Sequence, residues 1–391
     1  MNLDLKSGNS FYQTILPVIS PVFVVYTTIG MALGSLPAFV QNKLGYSSFI
    51  VGLVIGLESV ATLFTRAYSG RITDTKGPKK SQDKGVFLNV IVGIVYLLAI
   101  SLVQHPLWSL MLLLFGRLIH GVSESLLITG TLVWGIGLSG NENSGKVMTW
   151  NGLAIYGGLA LGAPLSIWLT KYSGISSVYI VMAILPLFSW LSTRKLPLVS
   201  GSKNNSKIPF YKVVRKVSIQ GIELGLASVA SGCISSFLVL LFMEKNWANA
   251  SLAYIVFGVS YILPRLFLSS LPDKHGGFII TTISLIVEIM GQLFIAFAPS
   301  QIMVFIGCVF TGVGFSLIYP ALGVMVIKKV SPQIRGTALG AYAAFLDLSL
   351  AITVPLAGWI AGIYNYQTTY FFGAIAGIAA IVLLLIRKCN D

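Results

Sequence analysis

Four ionisable side chains, Glu58, Arg117, Glu124 and Asp347, each fall inside a long apolar run of this 391-residue chain. A charge at the centre of a bilayer costs at least roughly 2.5–3.5 kcal/mol unless it is paired or hydrated, so such groups face the protein interior. Glu124 follows Arg117 by seven positions. On a helix that is nearly two turns, which puts both on one face with His120 beside them. A carboxyl at such depth can take up and release a proton, the chemistry that couples solute movement to a proton gradient. The plainer alternative for Arg117 and Glu124 is a structural ion pair. Glu288 is also mid-run, and Glu223 lies a turn or two inside its run, where it is placed to reach water.

A second constellation lies between runs: Gly70-Arg71-Ile72-Thr73-Asp74-Thr75-Lys76-Gly77-Pro78-Lys79-Lys80. Gly70 permits close approach of two helices. Asp74 can pair with a basic group or a helix N-terminus. Gly77 with Pro78 makes the turn, and Lys79 and Lys80 hold the loop on one side of the membrane. Gly140-Asn141-Glu142-Asn143-Ser144-Gly145-Lys146-Val147 is a near miss to a phosphate-binding loop, but Val147 replaces the required Ser/Thr and no strand precedes it. No H-E-x-x-H, hydrolase elbow or Cys/His metal spacing is present, so neither an enzyme activity nor a cofactor nor a metal is expected. Cys233 and Cys308 fall inside apolar runs and Cys389 in the tail, which is no disulfide framework. The first residues are polar and no signal-peptide pattern follows them.

The elements that must position these groups follow from hydropathy. The chain is 55% hydrophobic and 10% charged, well below the roughly 25% charge of soluble domains. Apolar runs occur near 14–40, 47–70, 85–104, 107–136, 145–170 and 174–193, then near 217–243, 249–271, 276–298, 301–328, 334–361 and 367–386. Each is long enough to span a bilayer as a helix. The fold class is therefore an all-α membrane protein of twelve transmembrane helices. The domain reading is a six-helix bundle over 1–193, a basic cytoplasmic linker over 194–216 and a second six-helix bundle over 217–391. With both termini cytoplasmic, 22 of the 26 Lys and Arg face the cytoplasm or its membrane edge, as the positive-inside rule requires. The net charge of +14 is thereby assigned to the membrane side, and nucleic acid is not an expected partner. The halves repeat each other. Arg66, Asp74 and Gly77 recur as Arg265, Asp273 and Gly276, and Gly145 and Pro164 recur as Gly336 and Pro355. Two pseudo-symmetric bundles with a midplane site between them are the simplest account.

The Gly70–Lys80 segment resembles the loop signature of the major facilitator superfamily, G-x-x-x-D-x-x-G-x-[RK]-[RK]. Arg117-Leu118-Ile119-His120-Gly121 is similar to that family's R-x-x-x-G pattern, and Gly158-Leu159-Ala160-Leu161-Gly162-Ala163-Pro164 to its G-x-x-x-G-x-P bend, although the further glycine pair after the proline is missing. Within the family the chain looks closest to a YhhS/YfcJ-type branch of bacterial efflux proteins, through Thr65-Arg66, Gly77-Pro78-Lys79, Trp150-Asn151-Gly152, Tyr319-Pro320-Ala321-Leu322-Gly323 and Asp347-Leu348-Ser349-Leu350.

The resemblance implies the major facilitator fold and a secondary transporter, in the first instance a proton-coupled exporter of a small organic solute. Uptake of a sugar or organic acid by symport, or a non-transporting membrane sensor with this fold, are the alternatives. It implies a coupling role for Arg117, with Glu124, Asp347 and Glu58 as proton-carrier candidates, and a peripheral, structural place for Glu288. It implies conformational gating by Gly70, Asp74, Gly77, Lys79, Lys80, Gly158, Gly162, Pro164, Arg265 and Asp273. Residues expected at a substrate cavity are Tyr26, Trp134, Trp150, Asn151, Tyr156, Tyr261 and Tyr342, whose rings can cradle an amphipathic ligand. The expected partners are a small-molecule substrate, protons and the lipid bilayer. The expected setting is a monomer in the bacterial cytoplasmic membrane.

Overall fold

The computed structural model describes residues 8–140, 143–199, 210–268, 271–330 and 335–390. Every regular element among them is helical. The helices are α1 (Gly8–Ala38), α2 (Ser48–Lys76), α3 (Pro78–Ser101), α4 (Pro106–Ser139), α5 (Ser144–Ser173) and α6 (Ile175–Thr193), then α7 (Phe210–Glu244), α8 (Ala250–Leu268), the short α9 (Leu271–His275), α10 (Gly277–Ala296), α11 (Gln301–Lys329), α12 (Arg335–Ile363) and α13 (Tyr366–Asn390). A π-helical turn, Phe39–Lys43, extends α1. Twelve of the helices are long and apolar enough to cross a membrane. Their outward faces carry large apolar side chains such as Phe64, Trp108, Phe188, Phe267 and Ile375, which suits a hydrocarbon solvent.

The internal repeat is visible in the backbone. Gly77, before Pro78 at the start of α3, has φ +92° and ψ 148°. Gly276, its partner in the repeat, sits before α10 with φ +85° and ψ 145°. That region is open essentially to glycine alone, so both copies of the motif turn the chain in the same way.

Backbone contacts divide the chain into two compact units, Met1–Ser35 with Val60–Asn204, and Leu36–Ser59 with Asn205–Asp391. The end of α1 and the first turns of α2 thus group with the second unit, a division that sequence spacing alone did not suggest. The cause is close packing on α12 and α13. A methyl group built on Gly52 would lie 2.8 Å from Pro355 Cα, and one on Gly56 2.9 Å from Pro355 Cδ. Ser48 Oγ and the Tyr366 hydroxyl are 2.8 Å apart, and that hydroxyl donates to Gln41 Oε1 at 2.8 Å. The Tyr366 N–H donates to Glu244 Oε2 at 3.2 Å.

In the first unit α3 packs on α4 and α6, and α1 meets α5 through glycines. A methyl on Gly30 would lie 2.8 Å from the Leu159 carbonyl oxygen, and one on Gly158 2.8 Å from Thr27 N. In the second unit α10 packs on α11 and α13, and α7 on α12 and α13. α7 begins at Phe210, earlier than hydropathy suggests, so Tyr211–Lys216 are helical rather than linker. Lys212, Arg215 and Lys216 point outward there while Val213 and Val217 are buried.

Candidate functional site

The first unit holds a polar core on α4. Its spacing puts Arg117, His120 and Glu124 on one face, as the helical period requires, with Arg117 and His120 buried. Arg117 is 2% exposed. Thr28 on α1 donates to Asn89 Oδ1 on α3 at 3.0 Å and stands 3.4 Å from His120 Nε2. The Tyr96 ring meets His120 and Tyr179 edge-on, at centroid distances of 6.4 and 5.4 Å. Gly116 makes room for that ring, since a side chain there would fall on it.

Glu124 stands two turns further along α4 and is half-buried. Its carboxylate accepts from hydroxyls of two other helices: Tyr26 on α1 donates to Oε1 at 2.6 Å, and Thr62 on α2 to Oε2 at 2.9 Å. Thr62 also lies 3.2 Å from the Gly121 carbonyl oxygen. One carboxylate thus ties three helices through groups that can each pass or hold a proton. Tyr26 was expected near substrate and Glu124 among the proton groups. The structure brings them together, with Thr62, which sequence reasoning did not single out.

In the second unit Glu58 on α2 and Asp347 on α12 are 4% and 5% exposed. Arg265 on α8 has its guanidinium 4.8 Å from the centre of the Tyr261 ring and 5.9 Å from that of Tyr319. Its Nε donates to the Ser316 carbonyl at 3.2 Å. The Tyr342 hydroxyl on α12 donates to the Tyr319 carbonyl at 3.1 Å. Arg265, Tyr261 and Tyr342 therefore form one aromatic–cationic cluster, completed by Tyr319 of α11. A cation over π faces favours this arrangement.

The loop motif does something more specific than holding charge. Lys79 Nζ donates to the carbonyls of Arg194 at 2.9 Å and Leu196 at 3.2 Å, and it lies 5.3 Å from the Trp134 ring centre. Trp134 Nε1 donates to the Pro197 carbonyl at 2.9 Å. Trp134 is fully buried, and these contacts pin the segment that leaves α6. Asp74 and Lys80 are exposed. The close approach expected at Gly70 is not made: a methyl there would meet nothing within 4 Å among the described residues. The intimate contact falls instead at Gly130 of α4, where a methyl would lie 2.7 Å from the Pro78 carbonyl oxygen. Gly158 and Gly162 make the α1–α5 contact, and Pro164 lies inside α5. Trp150 packs edge-on against Tyr12 at 5.7 Å. Asn151 is buried and Tyr156 half-buried. The Asp273 side chain lies outside the described residues.

Glu223 does not reach water. It accepts from Arg387 Nη1 at 2.8 Å, with both side chains buried. Turned carbonyl-first, Gln220 accepts from the same nitrogen at 2.7 Å and from Lys329 Nζ at 3.2 Å. Arg387 sits just past the last apolar run, so hydropathy gave no sign of its burial.

A sequence profile described as Major Facilitator Superfamily matches residues 21–287 and 224–388. An uncharacterized MFS-type transporter of Burkholderia pseudomallei is 37% identical over 386 residues, covering 97% of this chain and 94% of that one. A counterpart in Salmonella typhimurium, also described as an uncharacterized MFS-type transporter, is 36% identical, covering 96% and 97%. Among solved structures, a variant of the nucleoside transporter NupG superposes with a TM-score of 0.74 at 17% identity, over 95% of this chain and 99% of its own. The human organic anion transporter MFSD10 gives 0.70 at 14% identity, over 96% and 99%.

Proposed function

This chain belongs to the Major Facilitator Superfamily, and we propose that it is a proton-coupled exporter of a small organic solute. It is a multi-pass membrane transporter rather than an enzyme. The observation that carries the coupling is the Glu124 carboxylate, half-buried and held by Tyr26 and Thr62 from two other helices. Loss or gain of one proton there changes which hydroxyls it can accept from, and so changes how α1, α2 and α4 are tied. Such a group biases one conformation over another, as a coupling site must. Arg117 is the positive charge of the same helix face, and Asp347 and Glu58 are the buried acids of the second unit. The glycine contact of α5 on α1 at Gly158 and Gly162 supports export, being the place of the G-x-x-x-G-x-P bend. The Arg265–Tyr261–Tyr319–Tyr342 cluster and the Lys79 contacts act in gating. The distribution of Lys and Arg supports cytoplasmic termini in a bacterial inner membrane.

The test begins with metabolites in the medium of cells with and without the protein. A solute enriched outside only when the protein is present is then loaded into proteoliposomes. Its efflux should quicken under a pH gradient, and Glu124→Gln should lose the driven component while keeping solute exchange. Depletion of a solute from the medium establishes uptake instead, and gradient-independent transport removes the proton.

A further inference from the structure

The second unit contains an acid with no assigned work. Glu288 lies in the middle of α10, 1% exposed, on the face that packs against α11. Both of its carboxyl oxygens are buried and neither has a hydrogen-bond partner among the described residues. The backbones of α10 and α11 nearly touch there. A methyl built on Gly314 of α11 would lie 2.6 Å from Glu288 N and 2.8 Å from its Cβ.

No counter-charge is at hand among the described residues. The one buried cation among the described residues of this unit, Arg387, is held by Glu223 at 2.8 Å near the end of α13. From α11 the facing groups are Gly314 and Thr311, with Cys308 the buried titratable side chain of that helix and Lys328 and Lys329 exposed at its far end. From α13 they are Gly373, against Gln292, and Gly377, against Ile289, with Tyr370 the fully buried titratable group. The buried groups among these carry no positive charge, and Lys274 and His275 of α9 are exposed. An ionised carboxylate left alone in such a setting costs several kcal/mol. Something must neutralise it. A metal cation needs several oxygen ligands at once, and no group of three or more His, Cys, Asp or Glu gathers among the described residues. A proton needs no further ligand.

Other polar groups share the same buried face. Thr281, Ser284, Glu288 and Gln292 form a polar stripe along the buried face of α10, about 16 Å long at the helical rise. Thr281 Oγ1 and Gln292 Oε1 are also buried without a partner. Gln292 Nε2 reaches Thr311 Oγ1 on α11 at 3.1 Å. Polar groups kept in an apolar seam without partners are expensive, and they make sense where water or a proton enters when the seam opens.

We propose that Glu288 is a proton-binding site of the second unit, whose carboxyl holds a proton while α10 and α11 are packed at Gly314 and exchanges it with water when they part. The site is separate from Glu124 and does not depend on the direction or identity of the solute.

The experiment is infrared spectroscopy of the full-length protein in phosphatidylethanolamine–phosphatidylglycerol bilayers. Wild type should show a carbonyl-stretch band of a protonated carboxylic acid that is missing from Glu288→Gln and retained in Glu124→Gln. Transfer to D2O should shift the band to lower frequency within minutes. Should Glu288→Gln not accumulate, Glu288→Asp should move the band without removing it. An identical band in wild type and the Glu288 variant overturns the proposal. So does a band that fails to shift in D2O over a day, which makes Glu288 a permanently sealed acid. If Glu124→Gln lost driven transport without altering this band, the two acids would be shown to act separately.

Discussion

The Tyr26 hydroxyl donates to Glu124 Oε1 across 2.6 Å, joining α1 to α4 over 98 positions of sequence. A hydrogen bond to a charged group is worth about 1.5–3 kcal/mol. Tyr26→Phe should therefore weaken the α1–α4 tie and lower gradient-driven transport by roughly tenfold, the equivalent of about 1.4 kcal/mol. Solute exchange without a gradient should change much less. Initial rates of both, measured in the same proteoliposomes, check it. Equal losses in the two rates would make the bond a packing contact.

Gly162→Ala tests the α1–α5 contact. The added methyl would fall on the Thr27 carbonyl oxygen and lie 2.8 Å from Gly30 Cα. Backbone cannot give way as a flexible side chain can, so overpacking should destabilise by about 1–3 kcal/mol. The measurement is the thermal midpoint in detergent, compared with Gly340→Ala. Gly340 has nothing within 4 Å of its added methyl among the described residues, and that variant should melt as wild type does.

Arg387→Ala should be among the most damaging single changes in the second unit. It leaves the Glu223 carboxylate buried without its 2.8 Å partner, a loss of about 3–5 kcal/mol. The double variant Glu223→Leu with Arg387→Met should recover most of the thermal stability, because removing both charges removes the desolvation penalty with the attraction. Recovery of less than half would show that Gln220 and Lys329 depend on the pair.

Lys79→Ala should release the segment after α6. Its amine holds the Arg194 and Leu196 carbonyls at 2.9 and 3.2 Å. With about 1 kcal/mol lost, the open population rises roughly fivefold. Trypsin cleavage after Arg194 or Lys195 in the folded protein should quicken by that factor, with the Trp134 contact still in place.

The span count was legible because each helix must be apolar over its bilayer length. The paired turns at Gly77 and Gly276 were legible because a repeated glycine marks a backbone that only glycine adopts. The partners of the buried charges were not. Thr62 lies 62 positions from Glu124, and Arg387 lies 164 from Glu223. Hydropathy reports each helix alone and carries no information about which face meets which neighbour. Gly70 shows the same limit from the other side. Its motif position suggested contact, and the contact belongs to Gly130. Tyr319 was visible as part of a family pattern, but its place beside Arg265 depends on how α8 packs on α11.

The hairpin of α1 and α2 has a mechanical consequence. Both helices run through the two compact units, changing allegiance after Ser35 and before Val60. The tip between them is buttoned to α13 by the Tyr366 hydroxyl, which meets Ser48 and Gln41 at 2.8 Å each. Gln41, Ser48 and Tyr366 all belong to the second unit, so the tip of the hairpin is fastened within it. The π-helical turn at Phe39–Lys43 contains Gln41, one of the two residues that the hydroxyl meets. One tyrosine hydroxyl thus holds both sides of the hairpin tip, and Tyr366→Phe would remove both contacts at once.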